Sequence, residues 1–187
     1  MIKKVSLFII YLLILILTIL PIIFISIMLF FTQGRPIFFW SDRIGKDKKI
    51  FKMPKFRSMS NNVPLLASHL LEEPDTKITF IGKILRKYSL DELPQIISLF
   101  QGNMSIVGPR PALFNQYNLI ELRELKKINS ILPGITGLAQ INGRDNISLE
   151  EKVEYDYQYL INRSFKLDLK IIFYTFFKIM KSKDISH

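Results

Sequence analysis

The segment VSLFIIYLLILILTILPIIFISIMLFFT, residues 5–32, decides how the rest of the chain must be arranged. Its 28 positions carry no charged side chain, which is more than the roughly 20 apolar residues that a membrane-spanning helix needs. A signal peptide has a shorter apolar core of roughly 7–15 residues and ends in small residues, and this segment has no such cleavage site. The sequence therefore predicts a retained membrane unit, residues 1–33, ahead of a second unit, residues 34–187.

Pro21 lies inside this run, where a proline removes a helical hydrogen bond and clashes with the preceding turn. Ser26 follows within reach of the disrupted turn, and we expect its hydroxyl to satisfy a freed carbonyl. Basic residues precede and follow the segment, and cationic flanks favour the cytoplasmic side. A helix that bends at Pro21 and returns to the same leaflet leaves both basic flanks on the cytoplasmic side. A tilted single-pass helix leaves only the more basic of the two flanks there. The residues alone leave both courses open.

Composition limits the chemistry that the chain can perform. It has no cysteine, and its only histidines are His69 and His187, which excludes a disulfide scaffold or thiol nucleophile and leaves almost no material for a histidine metal site. Catalysis would have to use carboxylates, hydroxyls, lysines or arginines. Lys and Arg number 26 against 16 acidic residues, a net charge of +10. We therefore expect anionic partners: nucleic acid, phosphorylated metabolites or an acidic membrane surface.

Beyond the apolar segment the patterns predict an α+β fold that is mostly helical. Two aromatic and β-branched runs, residues 35–40 and 50–56, flank a basic turn at 45–48 and predict a small β-hairpin. Helical spacing predicts helices over 79–87, 112–127, 148–162 and 167–181. The last is aromatic with interspersed lysines and too short to span a bilayer, so we expect an amphipathic helix that lies in the interface or packs on the membrane segment.

The densest polar cluster surrounds an acidic pair, Asp91 and Glu92. Ser89 and Glu92 have capping-box spacing and predict a helix that begins there. The first turn of a helix attracts phosphate and stabilises an ionised carboxylate. Such a carboxylate can bind Mg²⁺ through oxygen or attack phosphorus to form an acyl phosphate. The alternative reading is a capping box with no chemical role, as at Ser148 and Glu151.

Basic residues flank the pair and favour the chemical reading. Arg86 precedes it and Arg110 follows it between two prolines, and a guanidinium can bind phosphate oxygens in bidentate fashion. A glycine-rich stretch, residues 133–143, ends at Arg144, another candidate phosphate ligand. That last signal is weak, and a structural turn between helices is the favoured interpretation of the glycines. The local chemistry predicts phosphoryl transfer at a membrane surface.

Seven short motifs in a fixed order resemble the bacterial sugar transferase family, the monotopic phosphoglycosyl transferases. They are Gly34-Arg-Pro-Ile-Phe38, Arg43-Ile-Gly45, Lys55-Phe-Arg-Ser-Met59, Ser89-Leu-Asp-Glu-Leu-Pro-Gln95, Met104-Ser-Ile-Val-Gly-Pro-Arg-Pro111, Pro133-Gly-Ile-Thr-Gly137 and Asn142-Gly-Arg144. The resemblance covers nearly the whole chain and is to the small form of the family, a catalytic domain with one membrane helix. Leu138 is a departure, since many members have Trp there.

The resemblance implies a reaction and its partners. Such enzymes transfer a phospho-sugar from a UDP-sugar to undecaprenyl phosphate or another polyprenyl phosphate and release UMP. This is the first membrane step of bacterial polysaccharide or glycoconjugate synthesis. The resemblance implies Mg²⁺ as a cofactor and inner-membrane lipid as a partner. It does not imply nucleic acid as a partner. It leaves the oligomeric state open, with a homodimer among the options.

The resemblance also implies roles and a location. Asp91 maps to the nucleophile of a covalent aspartyl phosphosugar intermediate, Glu92 to its partner in metal or proton handling, and Arg86 and Arg110 to the family's arginines. Pro21 maps to the break in a re-entrant helix, which implies a monotopic protein on the cytoplasmic face of the bacterial inner membrane.

Two other functions compete with this one. A membrane-anchored basic binding protein without catalysis would explain the charge and the anchor, but not the acidic pair between arginines. A glycosyltransferase that releases UDP would ordinarily use a nucleotide-binding Gly-x-Gly-x-x-Gly motif after a strand, and the chain has none.

Overall fold

The computed structural model describes residues 2–60, 77–143 and 146–181. It confirms a mostly helical α+β fold. A 3₁₀ segment covers Leu90–Gln95. The described helices and strands are α1 (Ile2–Gln33), β1 (Phe38–Ile44), β2 (Ile50–Phe56), α2 (Phe80–Lys87), α3 (Ile96–Phe100), β3 (Ser105–Val107), α4 (Tyr117–Leu125), β4 (Gly134–Thr136), α5 (Leu138–Ile141), α6 (Leu149–Asn162) and α7 (Phe165–Lys181).

Helix α1 includes Pro21, and the break predicted at that residue stays a prediction. The Ser26 hydroxyl donates to the Ile22 carbonyl at 2.7 Å. The carbonyl that a proline frees is the one four residues earlier, at Leu17, so Ser26 does not satisfy it as predicted. In the part of the chain that the structure describes, no helix has both the length and the apolar character to cross a membrane. The re-entrant course stays a prediction.

The predicted hairpin is confirmed. Strands β1 and β2 pair antiparallel, with Phe38 opposite Phe56 and Ile44 opposite Ile50. Its inner end packs on α1, because Phe56 shares a buried cluster with Ile25 and Leu29 of that helix. The hairpin is therefore fixed against the C-terminal part of α1.

A second contact ties the hairpin to α1. Arg57, directly after β2, donates from Nη2 to the carbonyls of Gln33 at 2.5 Å and Gly34 at 3.1 Å. The last carbonyls of a helix have no partner within the helix, so a guanidinium is well suited to bind them. Arg57 thereby holds the C-terminal end of α1 next to the end of strand β2.

The second half of the unit is built around α4 and α6. Helix α6 begins with the predicted capping box, since the Ser148 hydroxyl and the Glu151 side chain bind each other's backbone N–H. Helix α4 begins at Tyr117, five residues later than predicted, because the segment before it pairs with the hairpin: Ala112 accepts from Ile44 N–H and Leu113 bridges Arg43. Strands β3 and β4 form a short parallel pair that sequence patterns did not predict.

Helix α7 confirms the predicted helix over 167–181 and begins slightly earlier, at Phe165. Its Ile171 is fully buried with Val107 and Tyr159. Large apolar side chains cover its outer surface, namely Phe165, Leu169, Phe173, Tyr174, Phe176 and Phe177. The interfacial position predicted for this helix suits that surface and stays a prediction.

Candidate active site

The acidic pair lies on the 3₁₀ segment and not at the start of an α-helix. Ser89 adopts a left-handed conformation with φ 54° and its hydroxyl makes no capping bond, so the capping box predicted for Ser89 and Glu92 was wrong. The tighter turn, with Pro94 inside it, leads into α3. This geometry buries Asp91 and frees the side chain of Glu92 to form long-range contacts.

Glu92 is the centre of a charged cluster. Its Oε1 accepts from Lys55 Nζ at 2.8 Å and from Arg110 Nη2 at 2.6 Å, and its Oε2 accepts from Arg110 Nη1 at 3.3 Å. Asp91 Oδ2 lies 4.0 Å from the same Lys55 nitrogen. Charged hydrogen bonds of this kind are short and roughly twice as strong as neutral ones. Two carboxylates and two cations are thus collected from three distant parts of the sequence.

The two carboxylates differ in how firmly they are held. Glu92 uses both oxygens, whereas no hydrogen bond to the Asp91 carboxylate is formed among the described residues. Asp91 is nonetheless 94% buried, at 6% relative exposure. A buried carboxylate beside a cation but outside hydrogen-bond distance keeps its lone pairs available for a ligand.

Lys55 is the site residue that the sequence reasoning missed. It belongs to one of the seven motifs but received no role, because the basic residues around it favour a solvated surface. The signal lay in the strand period, because Phe51 and Met53 are buried and Lys55 follows them on the same side of β2. The Lys55 side chain is only 17% exposed.

The protonation of Lys55 is set by two opposed effects. Burial lowers its pKa below the ordinary 10.5 because the charged form loses its hydration. Glu92 and Asp91 oppose this by attraction, and Arg110 adds to it by repulsion. The net direction is downward, so Lys55 gives up its proton more readily than a surface lysine does.

The backbone around Arg110 is held from four directions, since four consecutive carbonyls accept hydrogen bonds from other parts of the chain. The pairs are Gly134 N–H to Pro109 at 2.9 Å, Arg123 Nη1 to Arg110 at 2.8 Å, Arg43 Nη1 to Pro111 at 3.2 Å and Ile44 N–H to Ala112 at 2.9 Å. Such a segment has little freedom left, so the guanidinium of Arg110 is presented to Glu92 from a rigid support.

Arg123 is itself fixed by a buried ion pair. Its Nε donates to Asp156 Oδ2 at 3.0 Å, and both side chains are almost fully buried. Burial raises the pKa of the Asp156 carboxyl, and the Arg123 charge opposes that shift. Removing one member of a buried pair costs about 3–5 kcal/mol because the other is left uncompensated. The pair joins α4 to α6, and Arg123 also binds the Arg110 carbonyl, so the pair supports the backbone at Arg110.

The glycine-rich stretch also serves this loop. A Cβ on Gly134 would lie 2.1 Å from the backbone nitrogen of Gly108, and one on Gly137 would lie 2.1 Å from the Gly108 carbonyl oxygen. These glycines admit the neighbouring backbone at Gly108, where the sequence interpretation was a turn between helices. Their close approach sets the parallel pairing of β3 with β4.

The remaining predicted phosphate ligands are placed differently. Arg86 is buried at the end of α2, where its Nε donates to the Ser58 hydroxyl at 2.9 Å. Arg144 lies outside the described residues. The structure therefore brings Asp91, Glu92 and Arg110 together and places Arg86 against the segment after β2.

A cavity of about 330 Å³ opens beside the charged cluster. Ser89, Glu92 and Arg110 are among its lining residues. Ile96, Ile135 and other aliphatic side chains form most of the remaining wall. Its volume lies within the roughly 300–1,000 Å³ usual for small-ligand sites.

The donor set suits a magnesium ion held together with a substrate. Asp91 and Glu92 are adjacent carboxylates, and among the described residues no group of three or more acidic, histidine or cysteine side chains adds further ligands. Mg²⁺ commonly takes one or two carboxylates and completes its shell with substrate phosphates and water. The two carboxylates fit that pattern.

Comparison with known proteins places these residues in context. The model of the bacterial sugar transferase family matches residues 1–182. An uncharacterized sugar transferase, EpsL of Bacillus subtilis (strain 168), is 41% identical over 152 residues, which is 81% of this chain and 74% of that protein. The exopolysaccharide production protein ExoY of Rhizobium meliloti (strain 1021) is 36% identical over 164 residues, covering 78% and 70%.

Longer relatives match through one part of their length. The UDP-glucose:undecaprenyl-phosphate glucose-1-phosphate transferase of Escherichia coli (strain K12) is 43% identical over 154 residues, which is 76% of this chain. The match covers 32% of that protein, so the chain spans about a third of it.

Proposed function

The chain belongs to the bacterial sugar transferase family, and from this membership we propose that it transfers a sugar phosphate from a UDP-sugar to undecaprenyl phosphate or a similar polyprenyl phosphate. The names of similar proteins support both substrates, since these proteins are undecaprenyl-phosphate transferases of glucose-1-phosphate, of galactose phosphate or of N-acetylgalactosamine phosphate. We propose that the reaction begins the assembly of a bacterial polysaccharide or glycoconjugate.

The observation that carries the proposal is the pairing of one engaged and one open carboxylate. Glu92 is bound by Lys55 and Arg110, whereas the carboxylate of Asp91 beside it is buried and accepts no hydrogen bond from the described residues. A buried carboxylate with available lone pairs is suited to act as a nucleophile. We assign Asp91 that role and Glu92 the role of holding the two cations in place.

In the first step an Asp91 oxygen attacks the phosphorus that bears the sugar. The bond from this phosphorus to the bridging oxygen breaks, and UMP leaves with the electron pair. The product is a covalent phosphosugar ester on Asp91. Negative charge that develops on the transferred group faces Lys55 and Arg110, and preorganised cations contribute most where the site is shielded from water.

In the second step a phosphate oxygen of the polyprenyl acceptor attacks the same phosphorus. The Asp91–phosphorus bond breaks, the carboxylate is regenerated and a polyprenyl diphosphate sugar is released. Asp91 and Glu92 would hold Mg²⁺ together with the substrate phosphates. When bound, the ion supplies neutralisation of the diphosphate charge. Arg86 and Arg144 are proposed as further phosphate ligands.

The location follows from the acceptor, which cannot leave the bilayer. The exposed apolar side chains of α1 and α7 suit burial in lipid, for example Phe24 and Phe176. We propose a monotopic attachment to the cytoplasmic face of the inner membrane, with the site at head-group height.

Release of UMP tests the function. The purified chain is given Mg²⁺, undecaprenyl phosphate and a panel of UDP-sugars, and we expect UMP with at least one donor. Asp91→Asn should lower turnover by about a thousandfold or more, because the amide is a far weaker nucleophile. Mass spectrometry of the unsubstituted chain without acceptor should find a phosphosugar on the peptide that contains Asp91.

Asp47→Asn is the matched control. Asp47 is an exposed hairpin residue with φ 54°, a conformation that Asn tolerates, so its turnover should equal that of the unsubstituted chain. Release of UDP in place of UMP would contradict phosphosugar transfer. Salt-sensitive anion binding with no nucleotide release from any donor would favour the non-catalytic binding protein.

A further inference from the structure

A buried hydroxyl lies close to the backbone that leads to Arg110, and neither step of the proposed reaction uses it. Tyr159 of α6 is only 3% exposed. Its Oη donates toward two acceptors, the Val107 carbonyl at 3.1 Å and Asp168 Oδ1 at 2.9 Å. Val107 is the last residue of β3, and Asp168 lies in the first turn of α7. One phenol therefore joins three elements that are far apart in the sequence.

Burial and charge keep this phenol protonated. Burial raises the pKa of Tyr159 above the ordinary 10.0, and Asp168 adds to the rise by its hydrogen bond and its charge, against a smaller opposing effect of Arg163. A protonated phenol has one hydrogen to donate, and both acceptors lie within hydrogen-bond distance of the same oxygen. The hydroxyl therefore remains a donor between β3 and α7 over the pH range in which the protein is assayed.

The backbone from Val107 to Arg110 has little freedom to absorb a displacement. The Val107 carbonyl also accepts from Ser105 Oγ at 2.7 Å, so both of its lone pairs are used. Only Gly108 and Pro109 follow before Arg110. Gly108 N–H donates to a β4 carbonyl at 2.8 Å, and the Pro109 carbonyl accepts from a β4 N–H at 2.9 Å. A shift of the Val107 carbonyl is therefore passed on to the position of Arg110.

A second polar contact ties the neighbouring strand to the same helix. The hydroxyls of Thr136 on β4 and Thr175 on α7 lie 2.6 Å apart. Thr175 Oγ1 already donates to the Ile171 carbonyl at 2.8 Å, so Thr136 is the donor between the two. Each strand of the β3–β4 pair is thus held to α7 through a side-chain hydroxyl. Helix α7 is the common support of the strands from which the Arg110 loop projects.

We propose that Tyr159 is a positioning residue for Arg110: its hydroxyl fixes the Val107 carbonyl relative to α7 and thereby sets where the guanidinium meets the transferred phosphate. Asp168 orients the phenol from α7. The assignment rests on the proposed function, because it gives Tyr159 an effect on a step of that reaction. Tyr159 acts only through Arg110, so its contribution to turnover disappears when the guanidinium is removed.

A double-mutant cycle on kcat/KM for UMP release tests this dependence. The purified chain is given Mg²⁺, undecaprenyl phosphate and the UDP-sugar that yields most UMP. Tyr159→Phe removes the hydroxyl and keeps the ring, and we expect a loss of about tenfold, chiefly in kcat. Arg110→Ala should cost about a hundredfold. In the Arg110→Ala background Tyr159→Phe should cost less than about twofold, because no guanidinium is left to misplace.

Tyr157→Phe is the matched control on the same helix. The Tyr157 ring lies 4.9 Å from Lys126 Nζ, and its hydroxyl makes no hydrogen bond with the described residues. Its kcat/KM should stay within about twofold of the unsubstituted chain. Asp168→Asn keeps an acceptor for the phenol and should lose less than about threefold, so that the conservative change rescues the contact.

A further variant keeps the test decisive if Tyr159→Phe shows no cooperative unfolding transition in detergent micelles. Asp168→Ala then replaces it in the cycle, because it releases the phenol from α7 and leaves Tyr159 intact. We expect a loss of about fivefold that disappears in the Arg110→Ala background.

The outcomes keep the positioning role and the proposed function apart. An unchanged kcat/KM in folded Tyr159→Phe, with UMP still released, would overturn the positioning role and leave the function intact. An equal fold-loss in both backgrounds would also overturn it, since that result indicates a structural effect independent of Arg110. Absence of UMP from the unsubstituted chain with every donor would contradict the proposed function itself and the positioning role with it.

Discussion

Ser89-Leu-Asp-Glu92 and Ser148-Leu-Glu-Glu151 follow one sequence pattern and adopt two structures. At Ser148 the hydroxyl and the glutamate form a reciprocal capping box at the start of α6. At Ser89 the backbone is left-handed, the hydroxyl makes no cap, and Glu92 binds Lys55 and Arg110 instead. The same local preference is followed at one position and overridden at the other.

The difference shows where long-range contacts outweigh local ones. A capping interaction is worth about 1 kcal/mol, and charge-assisted hydrogen bonds contribute about 1.5–3 kcal/mol each. Glu92 forms two such contacts with groups from β2 and the β3 loop, so the cap cannot compete for its side chain. Violations of local rules are expected at functional sites. The failed capping box therefore marks the site, and the formed one marks structure.

Replacing each glutamate with glutamine should give the largest difference in turnover between the two motifs. Glu92→Gln removes the charge that holds Lys55 and Arg110, and we expect kcat/KM for UMP release to fall about a hundredfold, equivalent to about 2.7 kcal/mol. Glu151→Gln should keep near-normal turnover, because glutamine can replace glutamate in a capping box. Similar losses in both variants would show that the glutamates share a structural role.

The partner of Glu92 gives the next effect, on the pH profile. Burial lowers the pKa of Lys55 below the ordinary 10.5, so its ammonium form is lost at a lower pH than that of a surface lysine. Because the ammonium group faces the transferred phosphate, we expect turnover to fall at alkaline pH below 10.5. Lys55→Arg keeps its charge at any accessible pH, and the alkaline fall should move upward or disappear. Lys52→Arg, an exposed change three residues earlier on β2, should leave the profile unchanged. An alkaline fall that persists unmoved in Lys55→Arg assigns it to another group.

Removal of the hydroxyls compares the caps themselves. Ser148→Ala should lower the free energy of unfolding by about 1 kcal/mol, since the capping bond to Glu151 is lost. Ser89→Ala should change it by less than about 0.5 kcal/mol, because no capping bond exists there. Denaturant unfolding in detergent micelles measures both. A larger loss at Ser89 would mean that its hydroxyl has a structural partner.

Glycine at the same positions should give small effects of opposite sign. Ser89 has φ 54°, and glycine adopts that conformation without a steric cost, so we expect Ser89→Gly to stabilise the protein by about 0.5 kcal/mol. Ser148 is extended and caps a helix, and Ser148→Gly should destabilise it by a few tenths of a kcal/mol. Thermal unfolding of the two variants side by side tests the sign, and a shared sign would contradict the comparison.

The parts of the fold that the sequence predicted depend on neighbours along the chain. The hairpin follows from alternating residues around a turn, and α6 follows from its cap and helical period. The start of α4 and the pairing of β3 with β4 depend on distant segments, and each of these strands has only three residues. Such short pairings carry no periodic signal.

The site shows the same division. The resemblance and the local chemistry identified Asp91, Glu92 and Arg110, which the structure brings into one region. Lys55 was hidden because the basic residues around it predict a solvated surface, although its strand period pointed inward. Arg86 donates to the Ser58 hydroxyl, a contact that its position near the motif did not predict.

The contact of Arg57 with the end of α1 has a consequence for biosynthesis. The carbonyls of Gln33 and Gly34 leave the ribosome before their partner, which follows Gln33 by 24 residues. At elongation rates of about 5–20 residues per second, that delay is roughly one to five seconds. During this interval α1 has already been translated, but the side chain that will bind its C-terminal end has not. Arg57 therefore completes the junction with the end of α1 only after α1 has been made.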